Sequence, residues 1–255
     1  MRLSILVPGI RVQNWTRLYN SIDDSFSGEW EMIFIGPYEL PTSLAVMDNV
    51  KYIEDWGTPI KCQQRGLVAA KGEYITWAAD DGVFTKNSLD KGFELLKEEN
   101  YKTVITGKYI EGTPFDDHME NEKYYILSNH DDTEYVPKGY YMLNVGLVSR
   151  ELLYEIGGWD CRFEVCPMAY NDLAIRLQNL GCKFILQPEI MFRCSHLPLC
   201  QGDHGPIHHA QTDHDIPVMK ELYKSLNPKE RMVIGLDNWM NCDEVWKRRF
   251  SSIIS

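Results

Sequence analysis

The feature that most constrains this chain is a rhythm. Short aliphatic runs alternate with stretches whose apolar residues recur every three or four positions, and glycine or proline punctuates most junctions. Leu3 to Val7 is such a run, stopped by Pro8-Gly9, and Trp15, Leu18, Tyr19 and Ile22 follow at helical spacing. Glu31 to Ile35 and Val50 to Ile53 read as strands, the former ended by Gly36-Pro37. Cys62 to Ala70 reads as a helix stopped near Gly72, and Tyr74 to Ala78 as a strand running into Asp80-Asp81-Gly82. Lys86 to Glu99 places Leu89, Phe93 and Leu96 at helical spacing, and Lys102 to Thr106 returns as a strand. Strand and helix in alternation predict an α/β fold with a mainly parallel, Rossmann-like central sheet flanked by helices. Ligands of such sheets bind at the carboxyl ends of the strands, the edge that carries Pro8-Gly9 and Asp80-Asp81.

From Tyr109 to Gly139 the chain is polar, acidic and tyrosine-rich without a period, which predicts an excursion over the surface. Met142 to Ser149 reads as a strand, Glu151 to Ile156 as a short helix closed by Gly157-Gly158, Asp172 to Leu180 as a helix ended by Gly181, and Lys183 to Leu186 as a late strand. Beyond a Cys/His-rich loop, helices are expected over Ile216 to Leu226 and Asp237 to Phe250. The 255 residues suffice for one large domain. We expect its body to occupy 1–200, with 201–255 forming a His-rich loop and a helical C-terminal extension packed on it.

With 26 basic against 37 acidic residues, the net charge of −11 would repel a phosphate backbone and argues against nucleic acid as a partner. A nucleotide held by so acidic a protein needs a cation or a few local basic groups. No stretch approaches the roughly 18 apolar residues of a membrane span, and the N-terminus lacks the apolar core and cleavage site of a signal peptide. Seven scattered cysteines fit reduced thiols. The expected location is cytoplasmic.

The strongest chemical signal is GEYITWAADDGVF. A strand ending in two carboxylates delivers acids to the mouth of the sheet, where an oxygen-rich site can hold Mn²⁺ or Mg²⁺ and neutralise a diphosphate. The competing reading is a turn that caps the next helix. Five of the seven histidines (His196, His204, His208, His209, His214) fall between Cys194 and His214. They are surface histidines, ligands of the same site, or a zinc site with Cys194 and Cys200, although their spacing matches no common finger.

RGLVAAKGEYITWAADDGVF, the opening SILVPGI, and LNVGLVSRELLYEIGGWDCRFEV followed by NDLAIRLQNLGCKFI together resemble, in order, the motif blocks of family 2 glycosyltransferases of the GT-A fold. The resemblance covers most of Leu3 to Ile190. It implies transfer of a sugar from a nucleotide-sugar donor, a UDP-sugar by family habit, to a glycan or other hydroxyl acceptor, with inversion and with a divalent metal. Asp81 matches the metal-binding acid of the DxD-type motif, while Ala79 stands where many members keep the first acid. Asp80 is expected at the ribose or assisting the metal. Pro8 and Gly9 are expected to line the base, with Arg11 and Arg65 near the nucleotide. Where the family ends its second strand with a base-reading acid this chain has Gly36-Pro37, leaving Glu39 nearby. A histidine after the late strand can complete the metal site, which points to His196, with His204 and His208 as further candidates. Trp159 in GGWD is expected on the acceptor side.

An inverting transfer needs a carboxylate to take the acceptor's proton. The family keeps an acidic pair just before the DLxxRL helix, where this chain has Ala169-Tyr170. Asp172 is the nearest carboxylate and the first candidate base, with Glu164 and Asp160 as alternates; Asp172 could equally be a first-turn acid offsetting the helix dipole. Two other classes stay open. A nucleotidyltransferase would show a glycine- and Lys/Arg-rich phosphate loop after the first strand, where this chain supplies Arg11 alone. A catalytically inactive nucleotide-sugar-binding relative is compatible with Ala79 and Ala169-Tyr170.

Overall fold

A computed structural model describes residues 1–112, 121–123, 139–195, 202, 204–224, 230–231 and 233–241. The first half follows the expected alternation: β1 (Leu3–Pro8), α1 (Val12–Ser25), β2 (Trp30–Gly36), α2 (Thr42–Ala45), β3 (Val50–Glu54), α3 (Pro59–Ala69) and β4 (Tyr74–Trp77). β3, β2, β1 and β4 lie side by side and parallel. Along β1 the side chains alternate between two cores, as a strand's period of two requires. Leu3, Ile5 and Val7 join Trp15, Leu18 and Ile22 of α1 on one face, while Leu6 joins Ile60 and Leu67 of α3 on the other.

The second half departs from a mainly parallel sheet. It contains β5 (Gly82–Phe84), α4 (Ser88–Leu95), β6 (Thr103–Gly112), β7 (Asn121–Lys123), β8 (Gly146–Ser149), α5 (Arg150–Ile156), α6 (Cys166–Asn179) and β9 (Lys183–Ser195). The strand order is β3-β2-β1-β4-β8-β6-β9-β5, with β7 beside β6. β8 enters antiparallel between β4 and β6, β5 pairs antiparallel with the end of β9, and only β6 and β9 are parallel there. The sheet is therefore mixed. Hydrophobic periodicity reports that a run is a strand but not which way it points.

Local chemistry explains the ends of several elements. Thr58 caps α3 by accepting the Lys61 amide (3.1 Å), with Pro59 in the first turn, and Ser149 caps α5 through the Leu152 amide (3.1 Å). α5 ends where Gly157 and Gly158 take φ of 84° and 68°, a region that favours glycine. At the late strand, the expected Lys183–Leu186 extends to Ser195, with register shifts against β6 around Lys108. Asp80-Asp81-Gly82 is not a helix cap, because Gly82 begins β5.

α7 (His204–Ala210), a π-turn over Gln211–Asp215 and α8 (Ile216–Lys224) run consecutively, and Met219, Leu222 and Tyr223 of α8 enter the core beside α6. The expected helix from Asp237 appears among the described residues as a short 3₁₀ turn, Asn238–Asn241, and its remainder lies outside them. No helix among the described residues is long and apolar enough to cross a membrane.

Candidate functional site

The carboxyl edge of β1 and β4 opens into a cavity of about 300 Å³. One wall is the turn after β1, from Pro8 to Arg11, and the facing wall is Ala78-Ala79-Asp80. Asp80 is 2% exposed, and its carboxylate fixes the turn. Its Oδ2 accepts the amides of Ile10 (2.7 Å) and Arg11 (2.6 Å), and its Oδ1 pairs with the Arg11 guanidinium. Trp15 Nε1 approaches Oδ2 at 3.5 Å. Arg11, the residue that caps α1, makes no side-chain cap hydrogen bond, so the strand-end acid supplies the anion at that helix start from outside the helix. Both oxygens of Asp80 are thus bonded to the turn, and the residue also lines the cavity, where its contact with a ribose or metal is expected.

Glycine is required beneath this turn. A Cβ on Gly36 would stand 2.1 Å from the Gly9 carbonyl oxygen, and the Gly9 amide bonds to Ile35 O at 3.0 Å. A side chain at position 36 would therefore lift the turn off β2. Glu39 is exposed on the connection beyond β2 and does not line the cavity.

Asp81 differs from its neighbour. It is 7% exposed, yet its Oδ1 has no hydrogen-bond partner among the described residues. Its Oδ2 lies 3.8 Å from the Arg11 guanidinium and 3.7 Å from His204 Nε2. Burial, opposed by Arg11, raises its pKa to about 6. An orphaned buried carboxylate oxygen with an imidazole beside it fits a hard cation. Among the described residues no three His, Cys, Asp or Glu side chains gather as a metal nest. A Mg²⁺-type site does not require one, because one or two carboxylates together with substrate phosphates and water complete its shell. His208 lies one turn further along α7, and no ion pair or hydrogen bond among the described residues joins it to Asp81. His196 lies outside the described residues.

Of the other expected residues, Arg65 is not on the cavity wall. It bonds Asp55 Oδ2 (2.7 Å) and Glu54 O (2.8 Å) and braces the turn after β3. Trp159 is fully buried and meets Trp77 edge to face at 5.1 Å, and its amide donates to Gln64 Oε1 (2.8 Å). GGWD is thus a joint of the core and not an acceptor surface.

Asp172 is also corrected. It is fully buried, with Oδ2 receiving Arg176 Nε (2.8 Å) and Oδ1 receiving Tyr223 OH (2.7 Å) and Arg231 Nε (2.7 Å). Two guanidiniums and a phenol leave it no access to an acceptor. Asp160 pairs with Arg162 and Arg231; burial works against its ionisation, but these cations outweigh it and hold its pKa down to about 2, too low for a base near neutrality. Glu164 lies two residues ahead of Cys166, which lines the cavity. Its Oε1 is 3.8 Å from His214 Nε2, and His214 Nδ1 contacts Asp215 (2.9 Å). Asp215 is buried and accepts the amides of Glu164 (2.8 Å) and Val165 (2.9 Å), fixing the backbone just ahead of α6 from a distant segment.

Tyr170 and Asn171 on α6 line the cavity, and the sequence reading does not single them out as site residues. Tyr170 OH donates to Gln63 Oε1 at 2.9 Å.

The architecture is that of the GT-A-like glycosyltransferase fold. Solved structures that share it include S. aureus TarS, at a TM-score of 0.57 and 15% identity over 78% of this chain and 37% of that one. S. aureus TarS 1-349 gives 0.54 and 15% over 76% and 60% of the two chains, and the same fragment in complex with UDP gives 0.52 and 13% over 78% and 61%. The chain spans between 37% and 61% of the length of these neighbours. No protein-family model matches the chain, and no curated protein does. At such identity the likeness is one of fold.

Proposed function

We infer that this protein is a glycosyltransferase that takes its sugar from a nucleotide-sugar donor, with a UDP-sugar favoured, and passes it to a hydroxyl acceptor. The observation that carries the reading is the pairing of a rigid backbone turn, Pro8 to Arg11, with the orphaned carboxylate of Asp81 at the carboxyl edge of a GT-A-like sheet. The existence of a UDP complex of TarS on the same fold supports the choice of nucleotide.

Asp81 and His204 would hold Mn²⁺ or Mg²⁺, which when bound supplies positive charge to the diphosphate that leaves with the nucleoside. Arg11 adds a second positive charge, fixed in place by Asp80 before any substrate arrives. Pro8 and Gly9 contribute a flat backbone surface to the nucleotide. With Asp172 and Asp160 locked in ion pairs, Glu164 is the carboxylate assigned to take the acceptor's proton in an inverting transfer. His214 and Asp215 hold its place.

A second reading, a binder without turnover, is favoured by one observation, that two of the three candidate bases are locked in ion pairs. Thermal shift against UDP, UDP-sugars and dTDP-sugars with and without Mn²⁺, followed by donor hydrolysis, decides between the two. Metal-dependent stabilisation with turnover supports the enzyme, and stabilisation without turnover supports the binder. No response to any nucleotide sinks both.

A further inference from the structure

The sheet has a second opening at its far edge, at the end of β4 away from Asp80-Asp81. Glu73 just before β4, Tyr74 at its start, Tyr101 ahead of β6, and Arg150, Glu151 and Tyr154 of α5 line an open groove of about 520 Å³. The groove shares no residue with the cavity beside the β1 turn, so the inference drawn from it stands apart from the glycosyltransferase reading. Ser149 also lines it, but its hydroxyl is used within the protein, donating to Tyr101 O (2.8 Å) and accepting the Leu152 amide (3.1 Å).

The groups left open on this wall are of both signs. Arg150 is pinned through Nε to Gly72 O (2.9 Å), and its guanidinium lies over the Tyr154 ring at 5.6 Å. Tyr154 OH donates to Val68 O (3.3 Å) and Tyr101 OH to Glu155 Oε2 (3.2 Å). Among the described residues, no hydrogen bond or ion pair engages the Nη groups of Arg150, the carboxylates of Glu73 and Glu151, or Tyr74 OH. A guanidinium and two carboxylates thus line one groove without pairing.

That arrangement selects by charge. An anion in the groove meets Glu73 and Glu151, and a cation meets Arg150. An uncharged group that both donates and accepts satisfies all three, and a hydroxyl is such a group. Neighbouring hydroxyls on a sugar ring repeat this pairing along a chain, and the carbon between them has tyrosine rings to lie against. The volume falls within the range of about 300–1,000 Å³ typical of small-ligand sites.

We propose that the groove at the amino-terminal edge of β4 is a carbohydrate-binding site for an uncharged oligosaccharide, whose hydroxyls are read by Arg150, Glu73 and Glu151.

The test is calorimetric titration of the full chain, without nucleotide or metal, against maltotetraose, cellotetraose, mannotetraose and N-acetylchitotetraose, all uncharged. Tetragalacturonate and the free-amine chitotetraose serve as the anionic and cationic counterparts. At least one uncharged tetramer should bind saturably, and both charged ones at least about tenfold more weakly. Arg150→Ala should weaken the bound tetramer about tenfold or more, the effect of losing hydrogen bonds to a charged group. The double variant Glu73→Gln/Glu151→Gln, which alters two exposed side chains without hydrogen bonds among the described residues, should do the same even if Arg150→Ala does not fold. UDP with Mn²⁺ should leave the tetramer's affinity unchanged. The proposal is overturned if no uncharged tetramer binds, if a charged one binds as well or better, if UDP displaces the tetramer, or if binding survives the folded variants. A chain that binds the tetramer but responds to no nucleotide loses the glycosyltransferase reading and keeps this one.

Discussion

Two adjacent aspartates with opposite surroundings give the most discriminating experiment. Replacing Asp80 by alanine strips two amides and a guanidinium of their acceptor at a site 2% exposed. Each buried amide left unsatisfied costs about 1–3 kcal/mol, and breaking a buried ion pair by removing one partner costs about 3–5 kcal/mol. Because these losses overlap at one site, we expect a total of about 3–5 kcal/mol, a large share of a typical stability of about 5–15 kcal/mol. Asp80→Asn keeps an oxygen for the amides but turns an NH₂ toward Arg11, and should cost about half as much. Asp81→Asn should cost less than about 1 kcal/mol, since its Oδ1 accepts no hydrogen bond among the described residues and burial already opposes its charge. Urea denaturation with a common m-value reads all three as shifts in midpoint. If Asp80→Ala lies within about 1 kcal/mol of wild type, or if Asp81→Asn costs as much as Asp80→Ala, the assignment of Asp80 as anchor and Asp81 as waiting ligand is wrong.

Gly36→Ala should cost about 1–3 kcal/mol as an overpacked contact, because the new methyl meets the Gly9 carbonyl oxygen at 2.1 Å, and it should weaken UDP binding; unchanged UDP affinity in the folded variant would show that the turn does not touch nucleotide. Glu164→Gln should lower turnover by about 10²-fold or more with donor affinity retained, and full activity in this variant removes Glu164 as the base. Asp160 has a folded pKa of about 2, below the ordinary 3.8, so its contribution is fully present above about pH 4 and is lost as pH falls through about 2. The stability gap between wild type and Asp160→Asn, worth about 2 kcal/mol near neutrality, should therefore close between about pH 4 and 2, and a gap independent of pH would contradict the ion-pair account.

The parts of the fold written in short-range chemistry were legible in the sequence. β1 to β4 and their helices follow from aliphatic runs and punctuation, and the same pattern placed Pro8-Gly9 and Asp80-Asp81 on one edge. What failed to show was long-range. Nothing local distinguishes an antiparallel β8 from a parallel one, and nothing near Val165 announces that Asp215 holds its amide. Asp172 is a different case, because its true role is written locally. Asp172 and Arg176 stand four residues apart on a helix, the spacing of an intrahelical ion pair, and that spacing alone favours a structural acid over a base. Trp159 misleads for a similar reason, because a tryptophan after two glycines looks presented when the glycines instead let it turn inward beneath Trp77.

Arg231 gives the C-terminal segment a consequence beyond packing. One guanidinium spans Asp160, ahead of α6, and Asp172, within it. A chain cut after α8 would leave Asp160 with Arg162 alone and Asp172 without one of its two balancing cations, deep in the body of the molecule. The segment beyond α8 cannot be treated as a tail to be trimmed for convenience, since the interior is electrically incomplete until it has folded back.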